Sequence, residues 1–211
     1  MASWFGHPTE EELLRTAAHE AAHAVIAFRL GFAVRWLTIE PGTGCAGAVQ
    51  FRHPSRPAGK PEMAQPFALW PPGWRDYVER ELLVTLAGHE AELRFLPRLG
   101  RTPEPVAVAA ISALEELPPV SDDQRAEAVA HVNAPAAELI TDEEHVQKLA
   151  RVAHGNEHRL GATWIAYMQE TAAVLVVQEQ AAIVRLGEAL TERGVVSGEQ
   201  AAAIIRDAAA A

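Results

Sequence analysis

The sequence contains little cysteine and few basic residues. Cys45 is its single cysteine in 211 residues, which excludes an internal disulfide framework and fits a reducing compartment such as the cytoplasm. Eighteen lysines and arginines stand against 28 aspartates and glutamates, and the formal net charge is −10. Because no cluster of basic side chains is available to neutralise phosphates, we expect no nucleic-acid partner.

Long apolar runs and nucleotide-binding motifs are absent as well. The apolar run 171–177 is much shorter than the roughly 18–20 residues that cross a bilayer. The first residues do not show the basic region and apolar run of a secretory signal. No Gly-x-x-x-x-Gly-Lys-Ser/Thr motif occurs, so we expect no ATP hydrolysis. A soluble, cytoplasmic protein without a membrane partner is therefore predicted.

The strongest motif is His-Glu-x-x-His, formed by His19, Glu20 and His23. Side chains four residues apart share one face of an α-helix and lie about 6 Å apart along its axis, so two imidazoles can bind one ion. Zinc accepts imidazole nitrogen and, in catalytic sites, keeps three protein ligands and one open position. Glu20 follows the first histidine directly, where a carboxylate can take a proton from water that attacks a carbonyl. The motif predicts a zinc hydrolase centre on a helix.

Periodicity and turn residues predict a mainly α-helical chain with one small sheet. Thr9 and Glu12 form a capping box that opens the motif helix, which should end near Gly31. A β-hairpin should follow, because β-branched and aromatic residues flank a turn rich in glycine. The predicted strands are 34–39 and 46–51, the predicted helices are 9–30, 77–95, 121–132, 141–153, 164–192 and 199–208, and 53–74 and 97–119 should be irregular. The apolar stripe of the long helix is predicted to lie in the core.

Three separate stretches resemble one family. Residues 18–25, followed by 37–41 and 46–50, are similar to a zinc-binding helix, a strand and a glycine-containing edge strand. Residues 86–92 read Leu-Ala-Gly-His-Glu-Ala-Glu, and residues 186–199 are similar to a closing helix, turn and short helix. In this order they resemble the peptidase M41 family, the zinc protease domain of FtsH-type AAA proteases.

The resemblance implies a single M41-like peptidase domain over residues 1–211, mainly α (α+β) and zincin-like, with a C-terminal helical bundle. Residues 1–96 would hold the metal helix, the small sheet and a second helix, and residues 97–120 an irregular connector. Residues 121–211 would hold the helix with the third zinc ligand and the bundle. Ala22 stands where the family usually carries glycine, a small change that a helix tolerates.

The resemblance also implies a third zinc ligand, an aspartate near the start of a later helix. The matching segment here is Ser121-Asp122-Asp123. Aligning on the serine selects Asp123, whereas aligning on the helix selects Asp122, because the apolar residues four, seven and eight positions later then share its face. Both candidates stay open. The same likeness makes Glu92 a carboxylate that orients a zinc-binding histidine.

The predicted function is that of a zinc-dependent metalloendopeptidase that cleaves peptides or unfolded proteins, without ATP in this chain. Glu20 would be the general base, and the substrate would lie extended along Ala46, Gly47, Ala48 and Val49. Without a motor, a separate partner would have to deliver stable proteins, and a homo-oligomer is an open alternative. A rival hypothesis is a non-catalytic, zinc-binding M41-like module with a binding or regulatory role, and another is a zinc hydrolase of non-peptide amides.

Overall fold

The computed structural model of the protein describes residues 9–40, 42, 45–53, 57–59, 61, 65–95, 119–134, 140–155 and 157–210. Most of the predicted connector 97–120 therefore lies outside the described residues. Within them, the structure contains seven α-helices, one short 3₁₀-helix and a three-stranded antiparallel sheet. The mainly α-helical architecture with a small sheet is thus confirmed.

The bounds of several elements lie close to the predicted ones, whereas the third strand and the division of the long C-terminal helix were not predicted. The helices are α1 Glu10–Arg29, α2 Pro72–Phe95, α3 Asp122–Val132, α4 Asp142–His154, α5 His158–Gln178, α6 Gln180–Arg193 and α7 Gly198–Ala210. The strands are β1 Ala33–Thr38, β2 Ala48–Arg52 and β3 Val195–Ser197, and a 3₁₀-helix spans Phe67–Leu69.

Helix α1 begins and ends as the sequence predicts. Thr9 accepts a hydrogen bond from the Glu12 backbone, and the Glu12 carboxylate accepts one from the Thr9 backbone, so two N–H groups of the helix start are satisfied. The chain leaves the helix at Gly31, whose φ of +86° is a left-handed conformation that favours glycine. The buried face of α1 carries alanine at positions 17, 18, 21, 22, 24 and 27. These small side chains let neighbouring helices approach the backbone of α1 closely.

The sheet has the strand order β2-β1-β3, and both pairings are antiparallel. Strands β1 and β2 form the predicted hairpin, in which Val49 lies opposite Leu37. The sequence pattern does not predict β3, because three residues are too few to show a period. Strand β3 pairs with β1 through Val196, which also lies opposite Leu37. As a result β1 is the central strand, and β2 is an edge strand among the described residues.

Helix α1 packs against α2, α6 and β1, and most of the main apolar core lies around it. A second apolar cluster lies where α2 meets α4 and α5, and it includes Trp70, Trp74 and Met168. Helix α2 therefore contacts both α1 and α4 along its length. The contacts of α2 with α1 and with α4 bring side chains of these three helices close together.

The prediction of one long helix over 164–192 is wrong, because the chain forms two helices there, α5 and α6, which are separated at Glu179. The Glu179 carboxylate lies 2.9 Å from a guanidinium nitrogen of Arg29 at the end of α1. Helix α5 packs mainly on α2, whereas α6 packs on α1. The break between them allows each helix to align with its own packing partner. Apolar residues continue on both sides of Glu179, so the sequence pattern does not reveal the break.

The predicted core position of this stretch holds for α6 and only in part for α5. Helix α6 buries most of its apolar side chains, but α5 exposes Leu160, Tyr167, Val174 and Val177. By length and hydropathy α5 would suffice to cross a membrane, a property that core helices of soluble proteins share. The expectation of a chain without a membrane partner therefore stays a prediction.

Candidate metal centre

Helix α1 presents His19 and His23 side by side, and Asp142 joins them from the first turn of α4. The Nε2 atoms of the two histidines are 2.9 Å apart. Asp142 Oδ2 lies 2.9 Å from Nε2 of His19 and 3.0 Å from Nε2 of His23. His23 is buried, whereas His19 and Asp142 are partly exposed. One ligand atom from each of three residues therefore converges on a single point.

Helix α2 binds the opposite ring nitrogen of each histidine. Nδ1 of His23 lies 2.7 Å from the carbonyl oxygen of Val84, and Nδ1 of His19 lies 2.6 Å from Oε1 of Glu92. The hydrogen bond with His19 lowers the pKa of Glu92, so this carboxylate, like the carbonyl, only accepts. Both Nδ1 atoms must therefore donate, which leaves a lone pair on each Nε2 when the ring is neutral. Glu92 orients His19, as the resemblance implies.

Three hydrogen-bond acceptors thus face one another, an arrangement that is unfavourable unless a cation lies among them. A proton bound to one of the imidazoles can serve as this cation. Burial would lower the pKa of His19, but its hydrogen bonds with Asp142 and Glu92 raise it to about 10. Burial would raise the pKa of Asp142, but hydrogen bonds with His19 and His23 keep it well below its usual value. The three side chains therefore form a candidate cation site.

The donor set fits zinc. Zinc takes imidazole nitrogen and carboxylate oxygen at about 2.0–2.2 Å, and a tetrahedral arrangement at these lengths separates the ligand atoms by roughly 3.3 Å. The separations here are slightly shorter, at 2.9–3.0 Å. The side chain of Asp142 is 44% exposed and has room to rotate outward. Small side-chain movements would therefore admit the ion.

Gly88 of α2 lies directly against the two imidazoles. A Cβ atom at this position would be 2.6 Å from Nε2 of His23 and 2.7 Å from Nε2 of His19, closer than van der Waals contact permits. The absence of a side chain at Gly88 therefore lets α2 approach the two imidazoles, and Glu92 follows one helical turn later. This pairing gives a physical reason for the Leu-Ala-Gly-x-x-Ala-Glu pattern of residues 86–92.

Gly88→Ala is expected to weaken metal binding without disrupting α2. Alanine is favoured over glycine by about 1 kcal/mol in a helix interior, but its methyl group would displace the imidazoles from their common point. We expect zinc affinity to fall by at least about 10-fold, as it does when a residue that orients a ligand is lost. Competition with a chromogenic chelator measures the affinity, and the thermal midpoint reports on stability.

Gly187→Ala is the matched control for this substitution. Gly187 also lies in a helix that packs on α1, but a Cβ there would meet the backbone of Ala17 at 3.6 Å, an ordinary contact. Its zinc affinity should equal that of the wild type. Equal affinities in all three proteins would contradict the close contact between Gly88 and the metal ligands.

Glu20 lies in the wall of the cavity that also contains His19, His23 and Asp142. Its side chain is buried, and this burial raises its pKa, although the neighbouring His23 and His19 act in the opposite direction. A carboxylate with a raised pKa is a better base near neutral pH than an exposed one. The position and basicity of Glu20 fit the role that the motif predicts.

The cavity has a volume of about 480 Å³ and is bordered by β2 and the segment before it. All four residues of the predicted substrate segment line it, namely Ala46, Gly47, Ala48 and Val49. The strand itself begins only at Ala48. A Cβ on Gly47 would lie 2.6 Å from Cγ2 of Thr16 and 3.1 Å from Cγ of Glu20. The chain therefore passes very close to the motif helix just before the edge strand begins.

The structure places the two aspartates predicted as third ligands elsewhere. Asp122 and Asp123 lie in the first turn of α3 and are exposed. Helix α3 reaches the cavity with His131, nine residues after Asp122, which corresponds to about 14 Å along a helix axis. Asp142 of α4, and neither Asp122 nor Asp123, lies beside the two histidines.

The argument that selected Asp122 depended on an inward face of α3 that the structure does not show. Ala126 and Ala130 are exposed, and α3 buries Ala128 and Val132 instead. These two residues pack with Trp36 of the sheet. The small, weakly patterned side chains of α3 did not reveal which face would be buried.

Sequence reasoning missed Asp142 because two helix starts carry the same signal. The segments 121–124 and 141–144 are both capping boxes, and each places an aspartate at the first helical position. Packing distinguishes the two helix starts. Helix α3 packs on the sheet, whereas α4 packs on α2, the helix whose residues hydrogen-bond to the two histidines. Three histidines to which the sequence assigned no role also line the cavity: His53, His131 and His145.

No protein-family model matches the chain, and no curated protein is significantly similar to it. The functional argument therefore depends on the residues of the site.

Proposed function

We propose that this protein is a zinc-dependent metallopeptidase of the M41 type that cleaves peptides or unfolded protein segments. The main support is that His19, His23 and Asp142 converge in the same cavity as the buried Glu20 and the edge strand β2. A structural zinc site is closed by four protein ligands, whereas three ligand atoms converge here among the described residues. An open position beside a base favours catalysis.

In this proposal His19, His23 and Asp142 hold the zinc ion. Glu92 and the Val84 carbonyl keep the two imidazoles in the orientation that points both Nε2 atoms at the ion. When bound, zinc polarises the substrate carbonyl as a Lewis acid and lowers the pKa of water toward about 7. The chain's own contribution is to fix three ligands and leave the cavity open beside them.

Glu20 accepts a proton from the attacking water and later donates it to the leaving amine. Burial suits both steps, because a carboxyl group with a raised pKa holds the proton between them. Neither step requires Glu20 to bind the metal. Glu20 is accordingly the catalytic residue of the proposal, and the histidines and Asp142 are the metal ligands.

The substrate binds in an extended conformation along β2. One edge of β2 pairs with β1, and no described strand covers the other, so its backbone groups can pair with a peptide. Such pairing requires a segment whose own backbone groups are free. Peptides and unfolded proteins meet this requirement, whereas the regular structure of a folded protein does not.

ATP independence and location belong to the same proposal. The sequence carries no nucleotide-binding loop, so a separate partner would unfold and deliver stable proteins. A single cysteine and a formal charge of −10 favour a cytoplasmic protein without a nucleic-acid partner.

Metal removal and restoration test the proposal. We expect the purified protein to contain one zinc ion per chain and to cleave unfolded casein and a mixed peptide library. The chelator 1,10-phenanthroline should abolish cleavage and added zinc should restore it, whereas the non-chelating isomer 1,7-phenanthroline should have no effect. Bound zinc without any cleavage would favour the non-catalytic module. Failure of the protein to bind added zinc would contradict both functions.

A further inference from the structure

A second cavity of about 390 Å³ opens between the first half of α2 and helix α4. Three aromatic rings form much of its wall, those of Trp70, Trp74 and Tyr77. Leu149 and Val152 of α4 add aliphatic surface on the opposite side. A cavity of this size with mainly apolar walls has the character of a binding pocket for a small apolar group.

This aromatic cavity lies beside the candidate metal centre, and the same two helices line both. His145 lines both cavities. On α4, Asp142, His145 and Leu149 follow one another at intervals of three and four residues, so they share one helix face. On α2, Glu81 lines the aromatic cavity and Thr85, one turn later, lines the metal cavity. The two cavities therefore lie next to each other along the contact between α2 and α4, with His145 at their boundary.

The carboxylate in the aromatic cavity is already engaged by its neighbours. Glu81 is buried and lies 2.9 Å from Nδ1 of His53 and 3.7 Å from Nε2 of His145. Burial would raise the pKa of Glu81, but the interactions with His145, Tyr77 and His53 lower it. Lys148 adds a positive charge to the wall. A cation among the rings would be repelled by Lys148 and would have to compete for Glu81, so the cavity fits a neutral apolar group better.

We propose that the aromatic cavity binds one large apolar side chain of the peptide substrate, aromatic or long aliphatic, close to the bond that is cleaved. This inference rests on the proposed peptidase function. Leu149 follows Asp142 by seven helical steps, or about 10 Å along the helix axis, which equals the length of roughly three residues of an extended peptide. The side chain therefore belongs to a residue within about three positions of the cleaved bond.

Cleavage-site mapping on an unfolded protein mixture tests the inference. The wild type should show enrichment of Phe, Tyr, Trp, Leu or Met at one position near the cleaved bond. Val152→Trp fills the cavity from a partly buried position at the margin of the second apolar cluster, and the thermal midpoint checks that the fold persists. We expect Val152→Trp to reduce the preference for Phe at that position, measured as the ratio of kcat/KM for the Phe peptide to kcat/KM for its Ala counterpart, by about 10- to 100-fold.

Arg151→Trp is the matched control, because it adds the same ring at the adjacent, exposed position of α4. This control should retain the preference of the wild type. Loss of the preference in both variants, or in neither, would overturn the assignment of the cavity.

A binding measurement separates failure of this inference from failure of the peptidase function. N-acetyl-phenylalaninamide should bind to the Glu20→Gln variant in ligand-detected NMR, and an added Val152→Trp should weaken this binding by at least about 10-fold. Cleavage without preference, together with no binding, would overturn the cavity assignment and leave the peptidase function standing. Binding that Val152→Trp removes, in a protein that cleaves no peptide, would support the cavity and contradict the peptidase function.

Discussion

A Glu20→Gln variant is expected to bind zinc as tightly as the wild type and to hydrolyse peptides about 10²- to 10⁴-fold more slowly, the contribution of general acid–base catalysis. Glutamine has nearly the shape of glutamate but cannot accept the proton of the attacking water. Because burial already raises the pKa of Glu20, a neutral side chain at this position should not destabilise the fold. Metal analysis and initial rates on a fluorogenic peptide measure the two properties separately.

Glu10→Gln is the control for the loss of one carboxylate from the same helix. Glu10 is exposed in the first turn of α1, nine residues before His19 and therefore about 14 Å away along the helix axis. Its variant should retain both zinc and activity. Undiminished hydrolysis by the Glu20→Gln variant would sink the assignment of Glu20 as the base.

Asp142→Ala is expected to lower zinc affinity by more than about 100-fold, beyond the 10- to 100-fold that follows loss of a residue that only orients a ligand. The substitution removes one of three converging ligand atoms and leaves His19 and His23 without a negatively charged partner between them. Hydrolysis should be lost together with the metal. Affinity is measured by chelator competition, and circular dichroism checks that the helices persist.

Asp122→Ala and Asp123→Ala provide matched controls for this loss. All three aspartates lie in the first turn of a helix behind a capping box, so each substitution removes a similar interaction with the helix dipole, about 0.3–1 kcal/mol. Zinc affinity should change only in the Asp142 variant. Loss of zinc in the Asp122 or Asp123 variant, with affinity retained in the Asp142 variant, would restore the ligand predicted from sequence and contradict the structural one.

Helix α2 carries more of the site than its sequence suggests. Its Val84 carbonyl and Glu92 hold the two imidazoles, and Gly88 leaves space for them. Nearer the N-terminal end of the same helix, Glu81 forms ion pairs with two more histidines, and Tyr77 lines the aromatic cavity. The candidate metal centre and the aromatic cavity therefore lie next to each other along α2.

Local sequence patterns were sufficient to predict the structure wherever neighbouring residues determine it. The capping boxes at Thr9, Ser121 and Thr141 are all present, because a cap is formed within four consecutive residues. The motif helix and the hairpin were also predictable, since their signals lie within one element. The break at Glu179 and strand β3 were not, because each depends on a partner distant in the chain.

The sequence by itself determined that a helix would carry His19, Glu20 and His23 on one face, because helical spacing alone brings them together. It also marked Glu92 and the strand region 46–49 as neighbours of the motif through a family likeness. Only the tertiary structure showed which aspartate lies beside the two histidines. Two helix starts with the same capping signal differ in what they pack against, and packing on α2 brings Asp142, not Asp122 or Asp123, to the histidines.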